Sequence, residues 1–77
     1  MKVKNNIVYI LLSNVAEKII YLRTSYIMER VTLKLGQAGV FESRDQARDF
    51  LGEYRATLWQ IQPISPKTIF KARLEGI

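Results

Sequence analysis

Phe41-Glu42-Ser43-Arg44-Asp45-Gln46-Ala47-Arg48-Asp49-Phe50-Leu51-Gly52-Glu53-Tyr54 is the stretch from which the fold is read. Ser43 stands where a helix N-cap belongs, and Gln46, three residues on, completes a capping box. Ala47, Phe50, Leu51 and Tyr54 recur at spacings of three, four and seven, so they share one face of a helix over about 44–54. Gly52 lies off that apolar stripe and costs the helix about 1 kcal/mol relative to alanine. The helix therefore needs an apolar surface to lie on.

Downstream, Thr57 to Ile64 reads as a strand, because Leu58, Trp59 and Ile61 are strand formers and Pro63 marks an end or an edge. Ser65-Pro66 is a fair helix start with proline at the first position, so the C-terminal segment has two readings: a short terminal helix docked by Ile69, Phe70 and Leu74, or a frayed tail. Upstream, Ile7 to Leu12 has the composition and length of a buried strand, ended by Ser13-Asn14.

Val15 to Val31 supports two readings. As a helix it would be capped by Asn14 with Glu17 at N3, striped by Val15, Ile19, Leu22 and Tyr26. As strands, Lys18 to Arg23 and Glu29 to Leu35 are rich in Ile, Tyr, Val and Thr, with a bend near Thr24-Ser25. The strand reading is favoured. Gly36 and Gly39 then flank a loop that delivers Val40 and Phe41 to the helix start.

The expected fold is one small α+β domain over residues 1–77: an antiparallel sheet of three to four strands with one packed helix. Its core would join Phe41, Phe50, Leu51, Tyr54, Trp59 and Ile61 to Val8, Ile10, Leu12, Ile20 and Leu22. Each large side chain fully buried there contributes about 1.5–3 kcal/mol. At 77 residues without cysteine, no disulfide assists the core, and the size leaves a homodimer open.

The helix segment resembles a loose group of short phage and prophage proteins. The residues that carry the likeness are Ala38-x-x-Phe41-x-Ser43-x-x-x-Ala47-x-x-Phe50-Leu51, followed by Trp59-x-Ile61-x-Pro63-Ile64. The resemblance spans about residues 31–64 and implies two strands, a loop, the capped helix and a closing strand. The glycine usual between the first two strands of that group has no counterpart in Ser13 to Lys18. Since most of the group has no assigned activity, the resemblance implies a fold and a genomic setting.

Composition narrows the chemistry. The chain has no cysteine and no histidine, hence no thiolate nucleophile, imidazole base or soft metal site. Its carboxylates are scattered, apart from one helix face. The expectation is a protein that is not an enzyme and takes no cofactor or metal. The apolar run after Met1 to Asn6 is too short for a signal peptide, and polar residues within 13–18 break any membrane span, so a cytoplasmic protein without membrane contact is expected.

The net charge of +5 is unevenly spread. Residues 1–41 set six cations against two anions, residues 42–54 two against four, and residues 55–77 four against one. On a helical projection Arg44, Arg48 and Arg55 fall within roughly 40°, while Asp45, Asp49 and Glu53 form a stripe about 80° wide. A solvated helix face accounts for both rows, and either could dock a charged partner. The favoured function is a small interaction protein that binds and modulates a host protein or assembly through this face. The alternative is a nucleic-acid-binding module using Lys18, Tyr21, Arg23, Tyr26, Arg30 and Lys34 on the sheet, with Lys67, Lys71 and Arg73 in the tail. No ribonucleoprotein-type, zinc-knuckle or helix-turn-helix motif accompanies those residues.

The cap is testable directly: Ser43→Ala should lower stability by about 1 kcal/mol in denaturant melts, the usual loss for a missing N-cap.

Overall fold

The computed structural model describes residues 6–23 and 30–77, with the side chains of Arg30 and Tyr54 outside that description. The bend expected near Thr24-Ser25, the site residue Tyr26, and Glu29 all fall outside the described residues, as does the expected core side chain of Tyr54.

Strands β1 (Val8–Val15), β2 (Lys18–Arg23), β3 (Arg30–Thr32) and β4 (Gln60–Ile64) form one antiparallel sheet in the order β3-β2-β1-β4. Helices α1 (Arg44–Arg55) and α2 (Pro66–Glu75) complete an α+β fold, with a 3₁₀ turn at Leu35–Gln37. The strand reading of residues 18–23 holds, and a continuous helix over 15–31 is ruled out by the β1–β2 hairpin.

Val15 pairs with Lys18, and the two residues between them, Ala16 and Glu17, both have positive φ (52° and 66°). That is the signature of a tight hairpin turn normally built on Asn-Gly, because left-handed backbone is costly for residues bearing a Cβ. β3 stops at Thr32 rather than running on to Leu35. Thr32 Oγ1 accepts the Lys34 amide (3.1 Å) and donates to Gln37 Oε1 (2.8 Å), turning the chain into the 3₁₀ segment.

β1 is apolar on both sides. Leu11 and Leu22 join Ala47 and Leu51 of α1, with Phe41, Phe50, Trp59 and Ile61 around them. Ile10 joins Ala38 and Ile69 of α2, with Leu12, Tyr21, Leu35 and Ile64 around them. Because alternate strand residues point to opposite faces, the two helices lie on opposite faces of the sheet. The expected single core is therefore two. Ile10 and Leu12 face α2, whereas Phe41, Phe50, Leu51, Trp59 and Ile61 surround Leu11 and Leu22. An unbroken apolar run such as Ile7 to Leu12 is what a strand covered on both faces requires.

Residues 39–41 wedge between β2 and the first half of β1. Gly39 donates its amide to the Leu22 carbonyl (3.0 Å), while Tyr9 and Phe41 exchange both backbone hydrogen bonds at 2.9 Å. Tyr9 thus directs its amide groups away from β4. Its pairing with Pro63 is therefore of the non-hydrogen-bonded kind, and the proline nitrogen faces outward from the edge strand.

The Ser43 cap forms as expected: its Oγ accepts the Gln46 amide (3.1 Å), and Gln46 Oε1 accepts the amide of Glu42 (3.1 Å). The far end of α1 differs. Gly52 has φ 73° and ψ 176°, which interrupts the helix. The chain then makes a further turn, with the amides of Leu58 and Trp59 both reaching the Arg55 carbonyl (2.9 and 3.0 Å). For this reason β4 begins at Gln60, not Thr57, and Leu58 is exposed.

Helix propensity would favour alanine over glycine at position 52 by about 1 kcal/mol. The observed backbone, essentially glycine-only, predicts the opposite sign: Gly52→Ala should destabilise by about 1–3 kcal/mol in urea melts, since strain and not crowding is the cause.

Candidate functional site

The α1 face keeps part of the expected charge pattern. Arg44, Arg48, Asp45 and Asp49 are exposed, one turn apart within each sign. The Arg44 guanidinium lies 5.3 Å from the centre of the Tyr9 ring. Arg55 does not join that row. Gly52 breaks the helix before it, and the side chain folds back to donate Nε to the Leu51 carbonyl (3.1 Å) and Nη2 to the Phe50 carbonyl (2.7 Å). Its guanidinium also lies 5.1 Å from the Phe50 ring centre. Arg55 thus satisfies carbonyls that the end of the regular helix leaves open. Glu53 follows the break and is exposed.

The basic residues divide between two regions. Lys18 and Arg23 are exposed on β2, and Arg23 stands directly opposite Arg30 in the β2–β3 register. Tyr21 is half-buried against the Ile10–Ala38–Ile69 cluster, so its ring is used in packing. Tyr9 and Tyr21 sit on opposite faces of the sheet by strand alternation, so their rings form no common stacking surface. Lys34 and Arg73 do converge, lining a small cleft of about 120 Å³ beside Gly36 and Ile77. Lys67 and Lys71 are exposed on α2.

α2 is held by its ends and by one close approach. Ser65 Oγ accepts the Lys67 amide (3.2 Å), and Pro66 occupies the first turn. At the other end Gly76 is left-handed, its amide reaching the Arg73 carbonyl (3.2 Å) while the Ile77 amide reaches Ala72 (2.9 Å). That double bond pattern is a Schellman cap. Gly36 then donates its amide to the Ile77 carbonyl (2.7 Å) and accepts from Arg73 Nε (2.9 Å). A residue with a Cβ cannot come this close: the atom would lie 2.8 Å from the Arg73 nitrogen and 2.9 Å from the Ile77 oxygen.

This docking turns Ile69 and Ala72 inward and leaves Phe70 and Leu74, expected to dock, 61% and 73% exposed. A groove of about 530 Å³ opens beside Phe70, floored by Val8, Val40, Pro66 and Ile69. Among the described residues, the charged ones lining it are the cations Lys67 and Arg73. A smaller recess of about 420 Å³ continues past Val8 and Pro66 to Asn6 and Glu42. Neither feature was anticipated from sequence. The available signal was that α2 carries large apolar residues on two sides, more than one sheet face can cover.

Among the described residues no cluster of three metal-ligating side chains occurs, and no helix is long and apolar enough to cross a membrane. No family model, curated protein or solved structure matches the chain.

Gly36→Ala should push α2 off the sheet. The expected result is a loss of about 1–3 kcal/mol, as for other overpacked contacts, with faster amide exchange along α2 than along α1.

Proposed function

We propose that this chain is a small non-enzymatic interaction module, cytoplasmic and of the phage or prophage type, that binds and modulates a host protein. The observation that carries the reading is the α2 groove: an apolar recess flanked by an aromatic ring left in solvent. Exposing Phe70 and Leu74 forgoes roughly 1.5–3 kcal/mol for each side chain that full burial would return. Phe70 also lines the groove, so its exposed ring adjoins the apolar floor of Val8, Val40, Pro66 and Ile69, as a contact site requires. The mixed charge of α1 supports the same class of function less specifically, because Arg44, Arg48, Asp45 and Asp49 also suit a solvated face.

A second reading, nucleic-acid binding, draws on the placement of Arg23 opposite Arg30 and of Lys34 beside Arg73. Against it stands the position of Tyr21, whose ring is packed under α2.

Two measurements separate the readings. Capture from nuclease-treated host lysate should retain a protein on the parent chain and lose it on Phe70→Ser, a change at an exposed site that leaves stability nearly unaltered. Retention by Phe70→Ser together with loss on Arg44→Glu/Arg48→Glu would instead place the contact on α1. Titration with single-stranded oligonucleotide should show binding no tighter than to an unrelated protein of equal charge. A tight complex with a log–log salt slope near about −3, and no protein captured, would decide for nucleic acid.

A further inference from the structure

We propose that the α2 groove takes an acidic amphipathic peptide segment of its partner, with apolar side chains in the recess and a carboxylate on Arg73. The inference rests on the interaction-module reading and adds the chemistry of the partner. The floor of Val8, Val40, Pro66 and Ile69 accepts aliphatic or aromatic side chains and offers no hydrogen-bonding group for a base edge. Specific recognition must therefore come from the rim, and among the described residues its charged members, Lys67 and Arg73, are cations.

Arg73 is set for this role. Its Nε is fixed on the Gly36 carbonyl at 2.9 Å, so the guanidinium is already oriented before a ligand arrives. A guanidinium held in place loses less freedom on pairing with a carboxylate, and its planar fork suits a bidentate contact. Lys67 adds a second positive charge on the same wall, whereas Glu42 lies at the far end of the continuing recess. Acidic residues of the bound segment should accordingly cluster at the Arg73 end.

Charge also argues against a second copy as the occupant. A two-fold pairing through this groove would bring Lys67 and Arg73 of both copies into one interface, four cations against the single Glu42 carboxylate that each copy's recess supplies. An acidic segment meets no such repulsion.

The test is selection of a displayed random peptide library on the parent protein, with counter-selection on Phe70→Ala. Enriched peptides should carry net negative charge beside two or more large apolar residues. Their amide-shift footprint should fall on Val8, Val40, Ile69 and Phe70. Lys67→Glu, an exposed change, should weaken them by about tenfold, and Arg73→Glu by at least as much.

A neutral or basic enriched pool with the same footprint would overturn the charge inference while leaving the interaction module standing. Enrichment insensitive to Phe70→Ala would remove the groove as the site. Displacement of the peptides by equimolar oligonucleotide would assign the surface to nucleic acid. Sedimentation showing a parent dimer that Phe70→Ser converts to monomer would assign it to a second copy.

Discussion

Everything in this fold depends on β1 being buried from both sides. Ile10 and Leu11 are neighbours in sequence, yet they are 1% and 0% exposed and belong to separate clusters on opposite faces of the sheet. A single helix cannot cover both. The chain must therefore supply two, and each cluster remains small, with one alanine among its few buried residues. Neither half is large enough to stand alone. Damage to one face should propagate through β1 to the other, so a single cooperative unfolding unit is the natural consequence.

What the sequence made legible was local. Ser43 and Gln46 identify the helix start because a cap is built from side chains within one turn. Lys18 to Arg23 reads as a strand on its Ile and Tyr content, although Val15, Ile19, Leu22 and Tyr26 also have helical spacing behind an Asn14 cap, and only the β1–β2 hairpin decides between the two. The misreadings have a common cause in tertiary contacts. Gly52 looks like a tolerated helix glycine, and only the backbone reveals the conformation that ends the helix. That break removes Arg55 from the row with Arg44 and Arg48. Whether Ile69 or Phe70 turns inward on α2 is likewise not decided by α2. It is decided by Gly36, more than thirty residues earlier, which lets the Arg73 side of the helix come flush against the 3₁₀ turn.

The same contact links architecture to the candidate site. Arg73 binds the Gly36 carbonyl on one side and lines the groove on the other, so the residue that orients α2 also presents charge to a ligand. The groove is in this sense a by-product of how the helix is seated. Its floor joins Val8 of β1 and Val40 of the loop before α1 to Pro66 and Ile69 of α2. Residues that ligands would touch are thus fixed by the core itself.

Pro63 has a consequence for how copies of this chain can meet. β4 is an outer strand, and a bare outer strand is a template on which another chain can add through backbone hydrogen bonds. Because the nitrogen of Pro63 faces outward and carries no hydrogen, the row of donors along that border is interrupted at its middle. Fibrous growth by strand addition is accordingly discouraged at β4 even at high concentration.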